Sequence, residues 1–170
     1  MCADLTSPLA ASLHFDAVID SPLPIDRSRL GIRLYNNKLR ELVFLDSAHP
    51  LSEPVNPFSA DIITQLTQYF ADPTHRFSIN LTPLGTDFQK RVWQALTTCP
   101  SGTTITYGKL AGIINSAPRA VGGACRYNPI PIIVPCHRVV AQQGLGGYAG
   151  RTEGMNMVLK KWLLSHECAI

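Results

Sequence analysis

At 170 residues, with 45% hydrophobic and 16% charged side chains, the chain has apolar material for one ordinary core or two small ones. No apolar run approaches the roughly 20 residues of a membrane span, and MCADLTSPLA lacks the basic start of a secretory signal, so a cytoplasmic address (nucleoid-associated in a bacterium) is expected. The net charge of +3 divides unevenly: residues 1–85 hold six Lys/Arg against nine Asp/Glu, and residues 86–170 hold nine against three. A basic C-terminal half suits a phosphate-rich partner, although uneven surface charge without a polyanion has the same composition.

In chain order, SLHFDAVI (12–19) and RLGIRLY (29–35) have strand composition. Asn36-Asn37 suits a turn with positive φ, and KLRELVFL (38–45) returns as the hairpin partner. Pro50, Pro54 and Pro57 mark a loop. FSADIITQLTQYFAD then places Ile62, Leu66 and Phe70 on one helical face, and RFSINL (76–81) is a further short strand. This half carries no catalytic constellation and reads as scaffold.

The second half opens on a capping box, Thr86-Asp87-Phe88-Gln89, ahead of a helix that directs Phe88, Val92, Trp93 and Leu96 to a core. After the break at Cys99-Pro100-Ser101-Gly102, a second helix runs from Thr106 to Asn115. Ser116 is the expected cap of a third, PRAVGGACRYN, with Pro118 in its first turn. Two short helices joined by a tight turn have helix-turn-helix form, a pattern shared with many proteins that never touch DNA. Ala120, Gly122, Gly123 and Ala124 would let a backbone approach closely, whether a helix or a nucleic-acid groove. Pro129, Pro131 and Pro135 then impose a non-helical, extended path toward Cys136. GLGGYAG (144–150) is a flexible loop, and MVLKKWLLSHE (157–167) is a closing amphipathic helix.

Cys2, Cys99, Cys125, Cys136 and Cys168 are odd in number and widely spaced, with no CxxC. That argues against a disulfide framework and a local zinc site, and for free thiols in a reducing compartment. In IIVPCHRVV (132–140) a thiol and an imidazole stand side by side. A nucleophilic cysteine needs a nearby cation or base, yet neighbours in an extended segment point to opposite faces. Adjacency alone therefore leaves two readings open, a thiol served by its base and an inert buried cysteine beside a satisfied histidine.

TYGKLA, PRAVGGACRYNPIPIIVPCHRVV, GLGGYAG and LKKWLLSHE, in that order over about residues 84–167, resemble the O6-alkylguanine-DNA alkyltransferases, the methylated-DNA–protein-cysteine methyltransferase family. The resemblance implies an α/β (α+β) fold. Residues 1–83 would form a ribonuclease-H-like small sheet with a helix, and residues 84–170 a mostly helical DNA-binding and alkyl-acceptor domain with a helix-turn-helix. It implies repair by direct reversal: a cytoplasmic monomer on the minor groove of double-stranded DNA extrudes O6-alkylguanine, with O4-alkylthymine as a second substrate, and moves the alkyl group irreversibly to Cys136.

On the same resemblance, His137 would accept the thiol proton through water, with Glu167 orienting its ring. Asn128 would be a hinge, and Tyr107 would crowd a phosphate and supply a proton to the base. Arg119 would replace the extruded guanine, while Ala120, Gly122 and Gly123 approach DNA. Tyr148, the Val139 carbonyl and the Ala149 amide would line the base pocket. No cofactor is implied. Relatives that bind zinc do so in the N-terminal half, where this chain offers Cys2 and scattered histidines such as His14 and His49, so no metal is expected.

The departures from the family pattern are a shorter Tyr107–Arg119 segment, a Gly144–Tyr148 segment one residue short, and an inserted-looking RTEGMNM (151–157). Among rivals, non-catalytic alkyltransferase-like proteins carry tryptophan where Cys136 stands. A helix-turn-helix regulator with a sensor thiol would want a dimerisation segment, and a Cys–His hydrolase would show local signatures missing from this sequence.

Overall fold

The computed structural model describes residues 14–170. Strands β1 (Ala17–Asp20), β2 (Arg29–Tyr35) and β3 (Lys38–Leu45) form an antiparallel sheet in the order β1-β2-β3. The hairpin is the one expected. Asn36 and Asn37 take φ of 48° and 60°, the doubly positive geometry whose twist matches flanking strands. A register shift after Arg33 lets Leu39 and Leu42, three residues apart, both reach the core. Two strand expectations need correction. The first strand begins only at Ala17, and residues 12–13 lie outside the described part. Residues 76–81 make no regular strand: Leu81 forms a single bridge with Leu39, flanked by Leu39 N–H to Asn80 O at 2.9 Å and Thr82 N–H to Leu39 O at 2.8 Å.

Helix α1 (Pro57–Ala71) starts on Asn56, whose side chain accepts from the Ser59 amide at 2.9 Å. Its buried face is Ile62, Leu66 and Tyr69, while Phe70 is only half-buried. Helix α2 (Asp87–Thr97) has the expected capping box, Gln89 N–H to Thr86 Oγ1 at 3.2 Å and Thr86 N–H to Gln89 Oε1 at 2.8 Å. Its Trp93 indole donates to the Ala124 carbonyl at 2.9 Å and so ties it to α4 (Pro118–Arg126).

Helix α3 (Tyr107–Ile113) is capped by Thr106. The cap of α4 is Ala117, with no side-chain bond, and not Ser116. Ser116 instead gives its amide to Ala111 O at 2.9 Å and closes the end of α3, with Asn115 at φ 52°. A two-residue parallel pair, β4 (Ile105–Thr106) and β5 (Val139–Val140), and helix α5 (Met155–His166) complete the chain.

Apolar side chains from β1–β3, α1, α2, α4 and α5 belong to one continuous buried cluster. The Leu42 amide also donates to Pro129 O at 2.9 Å, which fastens β3 beside the functional turn. The architecture is mixed α/β with a small antiparallel sheet and five helices. Among the described residues no helix is long and apolar enough to cross a membrane.

Candidate active site

The route to Cys136 is folded, not extended. Val134 N–H donates to Ile130 O at 2.9 Å, and Ile132 sits at φ 73° between them. A β-branched residue in that region stores about 1–3 kcal/mol of strain, held here by the burial of Ile130, Ile132 and Val134. Asn128 clamps the turn. Its Oδ1 accepts from Ile130 N–H at 3.0 Å, while Nδ2 donates to Val134 O at 2.8 Å and to the Cys136 sulfur at 3.1 Å.

Cys136, His137 and Arg138 then form one buried 3-10 turn, so their side chains do not alternate as they would in a strand. Cys136 and His137 share no hydrogen bond even so. The imidazole Nε2 lies 2.9 Å from Glu167 Oε1, and Nδ1 is buried with no protein partner. A carboxylate acceptor at Nε2 fixes the proton there and leaves Nδ1 with its lone pair free.

Glu167 is the hub. Besides His137 it accepts from Arg138 Nε at 2.9 Å, Arg138 Nη2 at 2.8 Å and the Tyr69 hydroxyl at 2.7 Å. Arg138 Nη1 donates onward to the Cys99 carbonyl. Burial alone would raise the Glu167 carboxyl, but hydrogen bonds from His137 and Arg138 and their charges outweigh it and hold the pKa at about 2. Burial pushes His137 down from 6.5 against the pull of Glu167, so the ring is neutral at pH 7. Burial also raises the Cys136 thiol, opposed by Asn128, Lys160 and Tyr148. The resting sulfur is therefore a thiol, and its proton must leave when it reacts.

The sulfur lines a cavity of about 190 Å³ walled by Tyr107, Gly122, Cys125 and the turn Tyr148–Arg151. The Tyr107 hydroxyl donates to Gly147 O at 3.2 Å, and burial raises its pKa to about 12. The Tyr148 hydroxyl is buried with no hydrogen-bond partner and lines the same cavity as the thiol; burial first, and the neighbouring Cys136 second, push its pKa up. A second cavity of about 340 Å³ reaches the same sulfur from the β3 side, past Asn128 and Pro131. Arg119, Ala120 and Gly123 are exposed on α4. A Cβ at Gly123 would meet nothing within 4 Å, so nothing in this chain's own packing demands a glycine there.

A family model described as the DNA binding domain of 6-O-methylguanine DNA methyltransferase matches residues 87–169. The methylated-DNA–protein-cysteine methyltransferase of Mycobacterium bovis is 43% identical over 142 residues, covering 81% of this chain and 85% of its own. The chain belongs to the methylated-DNA–protein-cysteine methyltransferase family. The Mycobacterium leprae protein of that name is 49% identical over 148 residues, covering 83% of this chain and 86% of its own. The Mycobacterium tuberculosis OGT solved in complex with DNA matches with a TM-score of 0.71 at 38% identity, over 88% of this chain and 90% of that one.

Within this methyltransferase-family scaffold the structure brings together Cys136, His137, Glu167, Asn128, Tyr107, Tyr148 and Ala149. It leaves Arg119 and Ala120 apart on the surface. Val139 is fully buried, and its carbonyl already accepts from Lys160 Nζ at 2.7 Å. Lys160 and Tyr69 are site residues that the sequence reading does not pick out, and Arg138, next to the thiol in sequence, turns instead to Glu167. Lys160 had a visible signal, since it stands three residues from Met157 and Leu163 on the apolar face of α5. Tyr69 had none, because its partner Glu167 is 98 residues away.

Proposed function

We propose that Cys136 is the one-use acceptor through which this protein repairs alkylated DNA. The observation that carries this is a buried thiol on a small cavity, backed by a neutral histidine whose Nε2 is locked to Glu167. The sulfur attacks the alkyl carbon of an extruded O6-alkylguanine in line. An S–C bond forms as the C–O6 bond breaks, and its electron pair stays on O6. The thiol proton passes to His137 Nδ1 through water, while the Tyr107 hydroxyl supplies a proton to the base. A thioether has no ready leaving path, so each molecule acts once.

The remaining roles belong to the same reading. Residues 84–170 form the DNA-binding and acceptor unit and residues 1–83 its scaffold, which contributes Tyr69 to Glu167. The protein works as a cytoplasmic monomer and approaches the minor groove with Ala120, Gly122 and Gly123, where small side chains leave room for backbone contact. Arg119 fills the gap left by the extruded base. The Ala149 amide would face the guanine edge together with the second lone pairs of the Cys136 and Val139 carbonyls, each of which already accepts one hydrogen bond, and O4-alkylthymine is a second substrate of the same pocket.

Titrating protein into a duplex with one O6-methylguanine tests this. Restored guanine should equal the protein added and then stop. Arg119→Ala should slow the duplex reaction at least tenfold, the scale of one lost charge-assisted contact, with a much smaller loss on the free base. Continued turnover, or sequence-selective binding to undamaged DNA without repair, would overturn the reading.

A further inference from the structure

The segment after GLGGYAG is one of three places where the sequence looks different from the pattern it resembles, and the fold brings its first residues back to the thiol. Tyr148 and Arg151 exchange backbone hydrogen bonds, Tyr148 N–H to Arg151 O at 2.8 Å and Arg151 N–H to Tyr148 O at 3.0 Å. Ala149 and Gly150 turn the corner with φ of 48° and 77°, the doubly positive geometry of a tight two-residue hairpin. Close packing fixes that turn on both sides. A Cβ at Gly147 would come within 2.8 Å of the Arg151 carbonyl oxygen, and one at Gly150 within 2.6 Å of Arg126 Nε. Arg151 and Thr152 are thereby placed on the wall of the Cys136 cavity, across the turn from Arg126.

Charge then identifies what belongs between them. The residues lining this cavity include two guanidinium groups, Arg126 and Arg151, and no carboxylate. Among the described residues neither arginine makes an ion pair, whereas Arg29, Arg33 and Arg138 each have a carboxylate partner. Both side chains are exposed, and two like charges lining one cavity favour an anion shared between them. An arginine fork suits a phosphate, and the Thr152 hydroxyl adds a further donor.

We propose that Arg151, with Arg126 and Thr152, is a phosphate clamp that grips a phosphodiester flanking the extruded nucleotide and so holds the alkylated base over Cys136. Arg151 is a positioning residue, since it reaches the backbone and not the reacting carbon. The proposal rests on the repair reading above and adds a backbone contact supplied by the segment that follows GLGGYAG.

Single-turnover methyl transfer from a duplex with one O6-methylguanine, repeated with an uncharged methylphosphonate at the phosphate on either side of the lesion, tests it. Arg151→Gln should slow transfer from the ordinary duplex about tenfold. It should also lower the salt dependence of duplex binding by about one phosphate contact, and Arg151→Lys should recover part of both. One of the two methylphosphonates should slow wild-type protein but cost Arg151→Gln nothing further, because the partner of that phosphate is already gone. Equal slowing of variant and wild type by both methylphosphonates, or an unchanged rate and salt slope in Arg151→Gln, overturns the clamp and leaves the repair reading intact. Wild-type protein that takes no methyl from the duplex or from free O6-methylguanine overturns the repair reading, and the clamp with it.

Discussion

Glu167→Gln should lose methyl transfer by about 10²–10⁴-fold, the range of a positioned general base, and about 3–5 kcal/mol of folding stability. Both losses come from the same four hydrogen bonds, received from Tyr69, His137 and twice from Arg138. Glutamine keeps the shape but removes the charge, so the buried Arg138 guanidinium faces a neutral amide. It also removes the carboxylate that fixes the proton on His137 Nε2, and Nδ1 no longer reliably offers its lone pair.

Acid separates the stabilising part of this from the rest. The Glu167 carboxyl is lowered from 4.5 to about 2 despite its burial, by His137 and Arg138. Its contribution is fully present above about pH 4.5 and is lost as pH falls through about 2. The stability gap between wild type and Glu167→Gln, measured by urea unfolding, should therefore narrow across that window. Rates are compared on folded protein alone. A folded variant that transfers at the wild-type rate would make Glu167 purely structural and remove it from the relay.

Lys160→Met should cost about 3 kcal/mol and loosen residues 144–150. The ammonium is fully buried and donates to Val139 O at 2.7 Å, Leu145 O at 2.7 Å and Gly147 O at 2.9 Å. It thus ties β5 to the loop that carries Tyr148 and Ala149. Methionine fills similar space but leaves three carbonyls without this donor, at about 1–3 kcal/mol each. Relief from burying a cation offsets part of that.

The pH sign follows from the shift. Burial lowers Lys160 from 10.5 to about 8, against the pull of Cys136 and Cys125. The cost of the buried cation is present below about pH 8 and is relieved as pH rises toward 10.5, where the unfolded chain still binds the proton. Wild type should accordingly gain on Lys160→Met across that interval. Hydrogen exchange of residues 144–150 should rise in the variant. Unchanged exchange with a stability change under 1 kcal/mol would mean the lysine does not hold the loop.

Local chemistry decided which parts of this molecule were legible in its sequence. The Asn36-Asn37 hairpin and the Thr86 capping box depend on residues within a few positions, and the fold contains both. Ser116 reads as the cap of α4, but its amide closes the end of α3 on Ala111 O and the cap position falls one residue later, on Ala117, a boundary that composition does not reveal. The prolines before Cys136 excluded a helix and yet did not make a strand, because Asn128 and the buried isoleucines stabilise a turn that local preference disfavours. That turn matters most. Adjacency of Cys136 and His137 in an extended chain was a poor argument for a relay, and the 3-10 geometry replaces it with a buried ring locked at Nε2 and free at Nδ1. The hub on Glu167 joins residues from α1, the functional turn and the end of α5, a convergence that only the folded chain displays.

Intact mass and peptide mapping after incubation with an O6-methylguanine duplex test the central claim most directly. The account predicts one added methyl group per molecule, located on Cys136, and none on Cys136→Ser. Folded wild-type protein that stays unmodified, or that carries the methyl on Cys125 or another cysteine, would contradict it.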